Sequence, residues 1–360
     1  MIAVVIGTRP EIIKTAPLVK EAQRRGEAVV IIHTGQHYDE KLDALFFEEL
    51  KLPKPAINLH VGSHPPAQQI AAMVLGLSEA FQQLQPTVVV VQGDTNTVLA
   101  GALTAHKMGI KLAHLEAGLR SDDWGMPEEA NRVVADALSD ILFCPTDVQT
   151  ERLAQEGIRK GVHVVGNPIV DAVQMFRQEA ANNPSIENNY GQYVLLTMHR
   201  PSNVDEKERL EAMMATFDAL GSKLNQKIIF PVHPRTSAKL KETGLDCRYA
   251  DSPNLSLISP IGYLPMLNLM DKASIILTDS GGIQEEANIL QVPCVTLRAN
   301  TERPETLDAG GNSLYNGTDP EVLYQIVKQM MAKPRDWACP FGDGRTSERC
   351  LDILKANGLL

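Results

Sequence analysis

The stretch TDSGGIQEEA (278–287) follows directly on the apolar run SIILT. Gly281 and Gly282 allow a tight turn there and let backbone N–H groups come close to a ligand. Ser280 can cap the ensuing helix or donate to a phosphate oxygen, and the unpaired N–H groups and dipole of a helix start favour a pyrophosphate. Glu285 and Glu286, one turn in, could grip ribose hydroxyls. The same residues also describe an ordinary capped helix after a strand, since Asp/Ser–Gly turns are common. Arg303, in TERPE (301–305), supplies the positive charge the turn lacks and favours the phosphate reading. There is no P-loop, and no GxGxxG fingerprint follows the first apolar run.

Acid–base chemistry is suggested by the amino-terminal half. The run IAVVI (2–6) leads into GTRPE (7–11), where Gly7 permits a sharp turn and Arg9 could bind phosphate bidentately, with Lys14 one helical turn further on. TVVVV (87–91) leads into QGDTNT, putting Asp94 at its mouth; KLAHL (111–115) leads into EAGLR, putting Glu116 at the next; and Glu128 falls in the first turn of a helix started by Pro127. Each has a structural alternative: Arg9 as a plain exposed cation, Asp94 holding its own turn, Glu128 favouring a helix dipole. Three carboxylates at consecutive strand ends nevertheless suit proton transfer. In the carboxyl-terminal half His199 and Arg200 follow YVLLT, and His233 and Arg235 follow KIIFPV. A cationic histidine near a pyrophosphate would help it depart, whereas His233 reads as a loop residue. His33/His37 and His60/His64 have the four-residue spacing of metal pairs but lack a convincing helix and a third ligand, so no metal site is expected.

These residues need elements to position them. Eleven short apolar runs alternate with helical patterns, among them AVVIIH (28–33), ILFC (141–144), VHVVG (162–166), LSLIS (255–259) and VPCVTL (292–297). Runs this continuous in apolar side chains belong to strands covered on both faces, and strand–helix alternation implies right-handed βαβ units and open parallel sheets. The first helix is bounded by Pro10 and Gly26. The Asn-rich segment 179–192 reads as a linker or surface excursion. The expected fold is therefore α/β, with two Rossmann-like domains, residues 1–170 and 171–345, and a ligand cleft between them at the carboxyl ends of the strands.

Bulk properties bound the alternatives. A chain of 360 residues suits two domains, and 44% hydrophobic residues suffice for packed interiors. A net charge of −10 argues against a nucleic-acid partner. The five cysteines form no CxxC pair, and Cys144 and Cys294 lie in apolar runs, as in a reducing cytoplasm. MIAVVIG lacks the basic start of a signal peptide, and no apolar run reaches membrane-spanning length.

Taken in order, GTRPEIIK (7–14), TGQHYD (34–39), GDTNT (93–97), HLEAGLR (114–120), MPEEANR (126–132), HPRT (233–236), TDSGGIQEEA (278–287) and TERPE (301–305) resemble the non-hydrolysing UDP-N-acetylglucosamine 2-epimerase family, over residues 2 to past 330. The resemblance implies a GT-B-like fold whose last helix, about 346–360, packs back on the first domain. It implies a homodimer that uses no cofactor and interconverts UDP-GlcNAc and UDP-ManNAc by eliminating UDP and adding it back. A related branch acts on UDP-2,3-diacetamido-2,3-dideoxyglucuronate, and a GT-B glycosyltransferase is a further alternative. By match, Asp94, Glu116 and Glu128 resemble the acid–base set and His199 the histidine near the diphosphate. Arg9 and Lys14 resemble substrate contacts; Ser280, Gly281 and Gly282 the phosphate turn; Glu286 the ribose ligand; Arg303 a further diphosphate contact. The chain departs from the family pattern at Ser202, where a glutamate is usual, at Met266, where an aromatic residue commonly packs near uracil, and at Glu40, where a regulatory QHxxM segment carries methionine.

Overall fold

The computed structural model describes residues 1–36, 46–182 and 190–360. His37, the Tyr38–Asp39 end of the TGQHYD motif and Glu40 lie outside the described residues, as does part of the expected linker 179–192. The chain divides into two compact units, Met1–Met175 with Phe341–Leu360, and Phe176–Pro340.

The first unit runs β1 (Ile2–Ile6), α1 (Arg9–Arg24), β2 (Val29–His33), β3 (Ile57–Asn58), α2 (Pro66–Leu84), β4 (Val88–Gln92), α3 (Asn96–Lys107), β5 (Lys111–Leu115), α4 (Pro127–Leu138), β6 (Ile141–Cys144), α5 (Asp147–Gln155) and β7 (Val162–Val164). Helix α6 (Pro168–Ala181) follows. The strands form one parallel sheet in the order β3-β2-β1-β4-β5-β6-β7, with Ile2 level with Val29 on one side and Val88 on the other. All five side chains of β1 and the four apolar ones of β4 are fully buried, the signature of a sheet clad on both faces.

The second unit repeats the scheme. Its strands are β8 (Tyr193–Thr197), β9 (Lys227–Pro231), β10 (Leu255–Ile258), β11 (Ile275–Thr278), β12 (Cys294–Thr296) and β13 (Asn312–Leu314), in the order β10-β9-β8-β11-β12-β13. Between them lie α7 (Pro201–Val204), α8 (Lys207–Leu224), α9 (Pro234–Thr243), α10 (Leu245–Tyr249), α11 (Tyr263–Lys272), α12 (Gly281–Ile289), α13 (Pro304–Asp308) and α14 (Pro320–Met331). Its core is drawn mainly from β8, β9, β11, α8 and α14, around Phe217 and Phe230.

In both units the strand order reverses beside the first strand, between β1 and β4 and between β8 and β11. Chain crossovers leave in opposite directions there, and the strand ends open a crevice suited to ligands. The final helix, α15 (Thr346–Ala356), belongs to the first unit. It lies against α1, tied by Arg25 Nη1 to Asp352 Oδ1 at 2.5 Å. The Asp171 carboxylate receives the Thr346 and Ser347 N–H groups at its start, at 3.1 and 2.7 Å. Burial of Cys350, Leu351 and Leu354 fixes its inner face.

Candidate active site

At the mouth of β1 the chain turns directly into α1. Thr8 is the N-cap and Glu11 closes a capping box. Gly7 is required here by proximity rather than by conformation: a Cβ would lie 2.2 Å from both Thr34 Oγ1 and Thr97 Oγ1. Those hydroxyls are bonded to each other at 2.8 Å. Arg9, the first helical residue, places its guanidinium 5.9 Å from the centre of the Phe46 ring.

Glu116 begins the loop after β5 with φ +70°, a left-handed conformation that a residue with a side chain adopts only at a cost. Its carboxylate is buried and doubly held. Lys14 Nζ lies 2.6 Å from Oε1, and Gln92, the last residue of β4, donates to Oε2 in a short contact. Asp94, just beyond β4, is paired with Arg132 of α4, and its carbonyl accepts from Asn131 Nδ2 at 2.9 Å. Glu128 is half-buried in the first turn of α4; among the described residues no hydrogen bond or ion pair joins it to Asp94 or Glu116. Its neighbour Glu129 is the anchored one. It accepts from Ser121 N (2.9 Å), Ser121 Oγ (2.8 Å) and Asp122 N (3.1 Å), and pairs with Arg132 at 2.8 Å. Burial raises its pKa, but the Ser121, Arg132 and Asp122 donors prevail and hold it at about 2.

Beneath β5 lies a buried ionic cluster. His114 Nδ1 meets Asp136 at 2.7 Å, its Nε2 meets the Gly93 carbonyl at 2.8 Å, and Arg120 meets the other Asp136 oxygen at 2.8 Å. Burial disfavours a charged imidazole, yet Asp136 and the Gly93 carbonyl outweigh it and hold His114 above its ordinary pKa. These groups fix the floor under Gly93 and Glu116.

In the second unit Asp279, fully buried at the end of β11, organises the mouth of β8. Its carboxylate accepts from His199 N (3.0 Å), Arg200 N (2.8 Å) and Asn203 Nδ2 (3.1 Å), and its Oδ1 lies 3.1 Å from His199 Nδ1. Burial would raise the Asp279 pKa; these donors lower it below the ordinary value. The His199 ring also faces His233, with ring centres 5.2 Å apart. Ser202 is exposed on α7 beside this network, whereas Asn203 is buried in it.

The glycine turn differs from its sequence reading in three respects. Gly281 and Gly282 are the first two residues of α12 and neither has positive φ, so the turn does not depend on glycine for its backbone. What glycine provides is space: a Cβ on Gly282 would meet no protein atom within 4 Å, and one on Gly281 only Glu302 Oε2, at 3.5 Å. Ser280 is the N-cap but makes no side-chain capping bond. Arg303 is already partnered within the unit: its Nε donates to the buried Glu285 at 2.6 Å and its Nη1 to the Glu302 carbonyl at 2.9 Å. The two glutamates expected to share a role are thus separated. Glu285 balances Arg303, while Glu286 faces the buried Tyr263, whose pKa is raised well above its ordinary value by burial first and by this carboxylate second. Glu302 is paired with Arg298 at 3.1 Å and approaches Arg200 at 3.9 Å. Met266 is half-buried on α11.

Two doubly wound parallel sheets, acids at the strand ends of one and a His–Asp pair beside a glycine-opened helix start in the other, define a GT-B-like nucleotide-sugar enzyme. The chain belongs to the UDP-N-acetylglucosamine 2-epimerase family, whose model matches residues 20–355. The UDP-N-acetylglucosamine 2-epimerase of Methanocaldococcus jannaschii is 46% identical over 98% of both chains. A crystal structure of the Methanocaldococcus jannaschii UDP-GlcNAc 2-epimerase in complex with UDP-GlcNAc and UDP superposes with TM-score 0.88 at 46% identity, covering 99% of each chain. The Pseudomonas aeruginosa UDP-2,3-diacetamido-2,3-dideoxy-D-glucuronate 2-epimerase is 36% identical over 98% of this chain and 99% of its own.

Proposed function

We propose that this protein interconverts UDP-N-acetylglucosamine and UDP-N-acetylmannosamine. The C2 proton of the sugar is not acidic, since no carbonyl adjoins it. It departs to a carboxylate as the anomeric C1–O bond breaks, leaving 2-acetamidoglucal and UDP. The proton then returns to the opposite face of C2 as UDP adds back to C1. Asp94, Glu116 and Glu128 form the acid–base set in this reading, with Lys14 setting the charge beside Glu116. Arg9 contacts the substrate. His199, oriented by Asp279, stabilises the leaving diphosphate. Ser280 and the N–H groups of Gly281 and Gly282 receive phosphate oxygens, Arg303 contributes a further diphosphate contact, Glu286 takes the ribose hydroxyls, and Met266 packs near uracil.

The observation that carries this reading is Glu116: a buried carboxylate in a strained backbone conformation, clamped by Lys14 and Gln92, in a chain of this family. Strain of this kind collects at functional positions. The test is incubation with UDP-GlcNAc in D2O, followed at C2 by NMR. Deuterium at C2 with UDP-ManNAc appearing is the expected result. Exchange confined to the diacetamido uronate would move the assignment to that substrate, and no exchange on either sugar would overturn an epimerase. We further infer a homodimer, checked by light scattering, acting in the cytoplasm to supply an amino sugar for surface polysaccharide.

A further inference from the structure

Each unit pins its strand-order reversal with a single buried carboxylate. In the second unit Asp279, at the end of β11, takes the backbone N–H groups of His199 and Arg200 at the end of β8. In the first unit the connection is made from the other strand. Glu11, in the first turn of α1, receives Gly7 N at 2.8 Å, Thr8 N at 2.7 Å and Thr8 Oγ1 at 3.0 Å on one oxygen. Its other oxygen receives Thr95 Oγ1, from the end of β4, at 2.6 Å. The residue is 1% exposed. A doubly wound unit commonly holds a ligand phosphate on the N–H groups of this turn; here the chain's own carboxylate occupies them.

The residue before Thr95 is Asp94. Its loop is held on its remaining sides by Gly93 N to the Leu115 carbonyl at 3.0 Å, His114 Nε2 to the Gly93 carbonyl at 2.8 Å and Asn131 Nδ2 to the Asp94 carbonyl at 2.9 Å. Thr95–Glu11 ties this loop to α1, the helix that also carries Lys14, the partner of Glu116. We propose that Glu11 is a positioning residue for Asp94, fixing the Asp94 loop to the helix that fixes Glu116, so that both carboxylates are referenced to one rigid element. The assignment rests on the epimerase reading.

Thr95 offers the cleaner handle, because its hydroxyl can be removed without disturbing Glu11's three other bonds. Its Oγ1 also caps α3 by accepting from Val98 N at 3.4 Å, so a single substitution mixes two losses. A double-mutant cycle with Glu11→Gln separates them. Thr95→Val is expected to lower kcat for C2 deuterium exchange by about 10–100-fold, with KM for UDP-GlcNAc changing less than about threefold, as expected when a reacting group is misplaced by a fraction of an ångström. Thr95→Ser, which keeps the hydroxyl, is expected within about threefold of the parent. Glu11→Gln with Thr95→Val together are expected to be no slower than the worse single variant, with folding of each checked by circular dichroism. Exchange by the unmodified protein tests the epimerase reading separately. Given that exchange, Thr95→Val at parental kcat, Thr95→Ser as slow as Thr95→Val, or multiplicative losses in the double variant would each overturn the positioning role.

Discussion

Replacing Asp279 by asparagine separates what this side chain does for the fold from what it does for His199. The carboxylate Oδ2 accepts from His199 N, Arg200 N and Asn203 Nδ2 at 2.8–3.1 Å, while Oδ1 lies 3.1 Å from His199 Nδ1 and shares the His199 N–H at 3.1 Å. An asparagine carbonyl in the Oδ2 position keeps the three donors. Its NH2 group then points at His199 Nδ1, where the carboxylate required a proton on the ring. Stability therefore falls only by the difference between charged and neutral acceptors, about 1–3 kcal/mol. The imidazole, however, must present Nδ1 as an acceptor and carry its proton on Nε2. It loses the anion that orients its ring, as when the buried acid of a catalytic triad is amidated, where the loss reaches about 10⁴-fold. We expect kcat to fall by at least about 100-fold, at the lower end of such effects, with UDP binding largely retained. Urea unfolding measures the first quantity, C2 deuterium exchange the second, and ¹H–¹⁵N imidazole correlation spectra the tautomer. A variant turning over within about threefold of the parent, or one that keeps its proton on Nδ1, would refute the argument.

Further expectations follow from groups with defined surroundings. In Gly7→Ala the new Cβ lies 2.2 Å from both Thr34 and Thr97 hydroxyls, so their mutual bond breaks and the turn shifts; the cost is about 2–4 kcal/mol, read as a lower Tm of the first unit. Glu11 has its pKa raised to about 7, burial outweighing the Thr95, Gly7 and Thr8 donors. A raised folded value means that the folded state holds the extra proton, so the favourable contribution is complete below pH 4.5 and is lost as pH rises through 7. Urea titrations from pH 4.5 to 7.5 are expected to show a decline of about 3 kcal/mol that Glu11→Gln removes. Glu129 has the opposite sign: depressed to about 2, its contribution is present above pH 4.5 and disappears as pH falls toward 2. Glu129→Gln is expected to destabilise by about 1–3 kcal/mol at pH 7 and by much less near pH 2.

The eleven apolar runs correspond to strands within a residue or two at most ends, because burial on both faces leaves a continuous signal. Two strands escaped. Ile57–Asn58 is only two residues long, and Asn312–Leu314 is mixed in polarity, so each is a strand by virtue of its neighbour in the sheet. The site was legible as residues at strand ends, since topology alone places Asp94, Glu116 and His199 there. Its wiring was not. Glu11 and Asp279 sit inside GTRPE and TDSGG, yet spacing cannot tell a carboxylate that faces a ligand from one that accepts its own chain's N–H groups. Likewise Glu285 and Glu286 are adjacent in sequence, but a helix turns 100° between them, and one meets Arg303 while the other meets Tyr263.

The return of α15 to the first unit has a consequence for biosynthesis. The 165 residues of the second unit, Phe176–Pro340, are translated between the two pieces of the first. At about 5–20 residues per second, the nascent first unit waits on the order of 10–30 s for its closing helix. During that interval the face of α1 against which α15 will pack is wet, and Asp171 has no helix start to cap. Ribosome-associated chaperones should therefore engage the amino-terminal portion for longest, and a synonymous-codon slowdown placed within 176–340 should lower the yield of folded protein by prolonging that exposure.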